Sequence, residues 1–311
     1  MELLLAFFLF GVIARALRSE LAFPPALHDT LSVVLLLTIG LKGGVELAAQ
    51  SLAAVWLPAL CVVAMGCALT VIAYLALSRW VRLSRVDAAA VAAHYGSVSV
   101  GTFAVASATL AAQGVAFEPS FSLFVVLLEA PAIFIGVALA RRGVSSGARW
   151  GFGAVAHEIL CGKSLALLVG GLAIGWAYGA DGIAPIAPVF FGGFKGVLAL
   201  FLLDMGLVCG DRLSSLRRHG VRLVVFAIAM PLVAAGIGMA VGRLLGLSIG
   251  GMAMLATLAA SASYIAAPAA IRIAVPEANP TLSLTAALGI TFPFNIAIGI
   301  PLYLELARQL S

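Results

Sequence analysis

The chain has 311 residues, of which 63% are hydrophobic and 10% charged, against about 25% charged in ordinary soluble domains. Too few charges remain to clothe a soluble core, so the composition excludes a water-soluble domain and leaves an all-α integral membrane protein. The net charge of +5 invites a nucleic-acid reading, which the placement of the basic residues excludes.

Apolar runs long enough for membrane helices fall near 2–17, 28–49, 52–78, 87–112 and 118–140. After a polar stretch they resume near 158–179, 183–209, 220–242, 248–274 and 281–307. Helices are the only open structures that keep backbone groups bonded in lipid. The expectation is ten transmembrane helices: residues 1–143 as a first five-span unit, 144–156 as a cytoplasmic linker and 157–311 as a second. The first run carries Glu2 where a signal peptide would carry a basic residue, so it reads as a retained short span.

Arg and Lys concentrate in cytoplasmic connections. With the N-terminus outside, the inward connections hold Arg15, Arg18, Arg79, Arg82, Arg85, Arg141, Arg142, Arg149 and Lys163. They continue with Arg212, Arg217, Arg218, Arg222 and Arg272, against Arg243 and Arg308 outside. This asymmetry puts both termini outside and explains the charge without nucleic acid. Five spans per unit is an odd number, so a repeat must be inverted. Gly11 corresponds to Gly175, Gly40 and Gly44 to Gly206 and Gly210, and Pro131 to Pro293, in the same order along the chain.

The fourth span is interrupted by His94-Tyr95-Gly96-Ser97-Val98-Ser99-Val100-Gly101-Thr102, and the ninth by Ser261-Ala262-Ser263-Tyr264-Ile265-Ala266-Ala267-Pro268. Ser97 and Ser261 are 164 positions apart, as are Ser99 and Ser263. Pro268 cannot continue a helix without a break before it. Paired, interrupted apolar segments mark the midplane site of secondary transporters, and two half-helix N-termini meeting there would attract a small anion. The substrate-binding expectation is therefore Ser97, Ser99, Gly101, Thr102, Ser261, Ser263 and Tyr264. Glu129 and His94 are the titratable residues nearby and are expected to serve the coupling ion.

Ser97 to Gly101 narrowly misses a nucleophile elbow, but that motif needs a strand-to-helix turn. No phosphate-binding Gly-x4-Gly-Lys-Ser/Thr is present. Cys61, Cys67, Cys161 and Cys209 form neither a CxxC pair nor a Cys/His cluster. No enzymatic activity, cofactor or metal site is expected.

The sequence resembles the sodium-dependent bicarbonate transporters first known from cyanobacteria. The matching pieces are Ile39-Gly40-Leu41 with Gly43-Gly44, then Tyr95-Gly96 with Ser99 and Thr102, then Ser261, Ser263 and Pro268-x3-Arg272. Pro276-x-Ala278-Asn279-Pro280 and the stretch Pro293–Leu302 complete the set. The resemblance implies inverted repeats, a core domain sliding against a gate domain, a homo-trimer in a bacterial inner membrane, and a bicarbonate and Na⁺ site at the broken helices. By the same comparison this chain has Tyr264 where the family has an acid, and Gly101 and Ala266 where it has Ser. Glu129 keeps a carboxylate that the family has.

Lys42 and Asp204 lie within spans, where ionisable residues are expensive. The family pattern carries its lysine at position 38 and its acid at position 208, which preserves the same antiparallel register, so Lys42 and Asp204 are expected to form a structural ion pair. The functional expectation is sodium-dependent bicarbonate uptake by alternating access. A proton-coupled carrier of another small anion and a non-transporting membrane sensor are the alternatives.

Overall fold

The computed structural model describes residues 2–50, 52–142, 152–213 and 220–310, which form helices and no strand. The first half contains α1 (Glu2–Ala16), α2 (Pro25–Ala48), α3 (Leu52–Ala76, extended by a π turn at Leu77–Val81), α4 (Arg85–Gly96), α5 (Val100–Ala112) and α6 (Phe121–Arg141). The second contains α7 (Phe152–Leu160), α8 (Lys163–Ile183), a π turn at Pro188–Gly192 running into α9 (Gly193–Leu213), α10 (Val221–Leu244), α11 (Ile249–Ala260), α12 (Ala266–Ala274) and α13 (Pro280–Leu310). Of the linker expected at 144–156, residues up to 151 lie outside the described residues, and the remainder begins α7. Arg149, Arg217 and Arg218 also lie outside them.

Among the described residues, eight helices are long and apolar enough to cross a membrane, with α4 and α5 together counting as one. The other two expected spans differ in kind. α1 has 15 residues, about 22 Å at 1.5 Å per residue, short of the ~30 Å hydrocarbon core. α11 has 12 residues and reaches a spanning length only across its break into α12.

α4 and α11 are buried along nearly their whole length and form the interior of the bundle. Their sequences are rich in Ala and Gly, which lets neighbouring backbones approach closely where lipid provides no hydrophobic drive. Their ends also match: Ser84 and Ser248 are the N-caps, each accepting from the backbone N–H three residues on, and Ser97 and Ser261 are the C-caps. Asp87 accepts a 2.8 Å bond from the Asn279 N–H, and Glu118 a 2.6 Å bond from the Ser248 N–H. Each broken helix is thus tied at its start to the loop leaving the other.

α1 packs on α9 and α2 on α8. Both crossings are parallel and run on glycine. A Cβ at Gly206 would stand 2.1 Å from the Phe8 carbonyl oxygen, and one at Gly44 2.1 Å from that of Leu172. These are the glycines that recur in order along the sequence, with Gly11 against Gly206 and Gly175 against Gly44. α8 kinks at Gly179, whose φ of 62° suits glycine alone.

The polar contacts sort the bundle into two ends. Arg15 meets Asp211, Lys163 meets Asp29 at 2.7 Å, Arg85 donates to the Arg142 carbonyl and Arg141 meets Ala274 and Glu277. The opposite end holds Glu118 with Ser248 and Arg308 with Gln113. Because Arg15 closes α1 at the first end and Arg308 lies at the second, α1 begins and α13 finishes at the same end of the bundle.

Lys42 and Asp204 do not meet. Asp204 Oδ2 lies 2.5 Å from His28 Nδ1, while Lys42 Nζ lies 3.8 Å from Glu46 one turn along its own helix. α2 and α9 are antiparallel neighbours, but their register sets His28 opposite Asp204, fourteen residues before Lys42. Lys42 instead lies level with Phe191 to Lys195. A constant antiparallel sum holds for any pairing of two such helices, so it does not select which residues touch.

Candidate functional site

The two interruptions lie against each other. α4 stops at Ser97 and α5 starts after Ser99, whose Oγ accepts from the Thr102 N–H at 3.1 Å and from Thr102 Oγ1 at 3.0 Å. The Ser99 N–H in turn donates to Ser261 Oγ at 3.0 Å, and Ser261 Oγ donates to the Leu258 carbonyl. Ser263 Oγ accepts from the Ala267 N–H at 3.2 Å in the first turn of α12. Serine suits these places because its hydroxyl replaces a partner the broken helix has lost.

His94 clamps the crossing. Its Nδ1 is 2.6 Å from the Ser263 carbonyl oxygen, which only accepts, so Nδ1 carries the hydrogen. The Ser263 N–H returns a 2.8 Å bond to the His94 carbonyl. On its other side His94 borders a cavity of about 110 Å³ with Pro268 and Arg272. It is therefore joined to the ninth-span break rather than to Glu129.

Glu129, on α6, stands beside the break. Its backbone carbonyl accepts from Ser97 Oγ at 3.2 Å, and its carboxylate faces Ser164 on α8. Glu129, Ser164, Ser99, Ser263 and Tyr264, with Val98, Val100 and Ile265, enclose a cavity of about 10 Å³, room for about one water-sized particle. Glu129 Oε2, Ser164 Oγ and the Tyr264 hydroxyl are buried without a hydrogen bond of good geometry. Unpaired buried polar atoms are costly, and three of them gather around this one small cavity.

Of the seven residues expected to bind substrate, Ser99, Ser263 and Tyr264 line this cavity. Ser261 and Thr102 are one hydrogen bond away and Ser97 holds the Glu129 backbone. Gly101 makes room for Tyr264: a Cβ there would be 2.2 Å from the phenol oxygen. The phenol ring also packs edge-on against Phe292, with centroids 5.2 Å apart. Sequence reasoning missed Ser164 and His28. Both sit among other polar residues at the start of an apolar run, His28 before Asp29 and Thr30 and Ser164 after Lys163, where a flanking serine or histidine carries no distinguishing pattern.

The arrangement offers two kinds of charge complementarity. The N-terminal turns of α5 and α12 carry the positive ends of helix dipoles, which favour an anion. The buried carboxylate and adjacent hydroxyl oxygens offer ligands to a small cation. None of the curated proteins compared with the sequence matches it. The family model of the Na⁺-dependent bicarbonate transporter superfamily matches residues 4–308, nearly the whole chain, and the protein belongs to that superfamily.

Proposed function

We propose that the protein is a secondary transporter that takes up bicarbonate or a closely similar small anion together with Na⁺, by alternating access, through ten spans in two inverted repeats. The observation that carries this reading is the pairing of two broken, buried helices beside Glu129, with unpartnered polar atoms around a cavity of about 10 Å³. The cation is assigned to Glu129, Ser164 and the serine hydroxyls, and the anion to the N-terminal turns of α5 and α12. The matching lengths and caps of α4 and α11, and the parallel glycine crossings of α1 with α9 and α2 with α8, support the inverted repeat.

Alternating access needs two bodies that keep their shapes. Side-chain-free crossings make α1, α2, α8 and α9 one such body, because the backbones touch and have no play. The broken helices, knotted by Ser99, Ser261 and His94, make the other. Sliding one past the other exposes the crossing first to one side and then to the other.

A proton in place of Na⁺ is the alternative coupling, since a buried carboxyl with an unpartnered oxygen serves either ion. Replacing both Ser99 and Ser263 by Ala tests the site. Radiolabelled bicarbonate uptake into proteoliposomes, followed against Na⁺ concentration, should show KM for Na⁺ raised about tenfold, the scale for losing polar contacts to a charged group. Unchanged KM in a variant that melts normally removes the crossing from the cation path.

A further inference from the structure

A separate cavity of about 580 Å³ lies between α2, α5 and the start of α9, on the seam between the two bodies of the transport reading and sharing no residue with the cavity beside Glu129. Its size falls within the ~300–1,000 Å³ typical of sites for organic ligands. Phe103, Phe117, Phe191 and Phe194 form apolar walls. Lys42, Glu46 and Lys195 supply the charge. Lys42 sits 3.8 Å from Glu46 on its own helix, while Lys195 has no ion pair among the described residues. The cavity is thus left with one uncompensated positive charge. Thr38, 3% exposed, lines the same space with its Oγ1 lacking any hydrogen-bond partner. Gly192 also lines the space, and a Cβ there would meet nothing within 4 Å.

We propose that this cavity binds an organic monocarboxylate with an apolar body, its carboxylate at Lys195, its body among the four phenylalanines, and a second polar atom at Thr38. One negative charge balances the site, and the apolar walls reject a small hydrated ion that would have to shed its water against phenyl rings. The inference goes beyond the transport reading, because the ligand here differs in size and occupies a different place.

The test is binding of naphthoate, followed by its fluorescence, to the protein in nanodiscs in Na⁺-free buffer with empty nanodiscs subtracted. Saturable one-site binding is expected, with naphthamide, the neutral counterpart of the same shape, at least about tenfold weaker. Lys195→Met should weaken naphthoate about tenfold, and Lys195→Arg, which keeps the charge, should retain it. Competition assigns the source of the natural acid: tighter displacement by oleate points to the bilayer, and tighter displacement by short aromatic acids to water. Equal affinity for naphthoate and naphthamide overturns the proposal. So does unchanged binding in a Lys195→Met protein that elutes and melts like the wild type. No gradient enters the measurement, so failure of transport and failure of this site are read separately.

Discussion

Position 101 has no side chain, and the Tyr264 hydroxyl occupies the space one would fill, 2.2 Å from the missing Cβ. Two of the three positions at which the resemblance marks a departure, 101 and 264, are therefore one change in space. The sequence shows each departure but not their contact, because the residues lie on different broken helices. Gly101→Ser alone should drive the phenol from its place and cost about 1–3 kcal/mol, the range for overpacking a core. Gly101→Ser combined with Tyr264→Asp should recover most of that loss, read as melting temperature in detergent. Additive losses would mean that the two side chains do not share the space. Buried charge behaves in a similar way. Lys42 was legible as an intramembrane charge, but its partner was not, because register between helices is a property of packing. Asp204 is 6% exposed and rests on His28, whereas the Lys42 side chain is 53% exposed. His28→Ala should therefore be the more destabilising, by about 1–3 kcal/mol, because it leaves the buried Asp204 carboxylate without its hydrogen bond. Lys42→Met should change stability by no more than about 1 kcal/mol. The same melting experiment ranks them, and the reverse order would contradict the register.

At the scale of elements, the breaks at 97–99 and 261–265 were legible because Ser, Gly and Pro interrupt runs that are otherwise apolar. The glycine crossings were legible only as a recurring order. Which glycine meets which backbone depends on the parallel approach of α1 to α9. Gly206→Ala should destabilise by at least ~1–3 kcal/mol, since the obstructing atom is the Phe8 carbonyl oxygen and backbone cannot turn aside. Gly196→Ala, where a Cβ meets nothing within 4 Å, should gain up to about 1 kcal/mol from helix propensity alone. Equal effects at both positions would show that the crossing is loose. The π segments of α13, at Thr285–Thr291 and Asn295–Gly299, were not legible. They follow from tertiary bonds, with Thr291 donating to the Ala227 carbonyl and Asn295 to that of Ala260, and no local pattern encodes those partners.

At the scale of the whole molecule, composition sufficed for a helical membrane protein, and the resemblance for its superfamily. The count of ten spans rests on hydrophobic runs, whereas among the described residues eight segments are long and apolar enough to cross, one of them α4 and α5 taken together; the difference lies in the short α1 and the divided α11 and α12. Because Arg15 and Arg308 mark opposite ends of the bundle, externally applied reporters on the N- and C-termini should respond alike, and a split response would break the inverted repeat. The central claim is that the crossing beside Glu129 couples a cation to anion uptake. Its most direct measurement is bicarbonate uptake into proteoliposomes with and without an inward Na⁺ gradient, for the wild type and Glu129→Gln. The account predicts gradient-driven accumulation in the wild type and loss of the Na⁺ dependence in the variant. Uptake that ignores Na⁺ in the wild type, or that keeps its full Na⁺ dependence in Glu129→Gln, would contradict it.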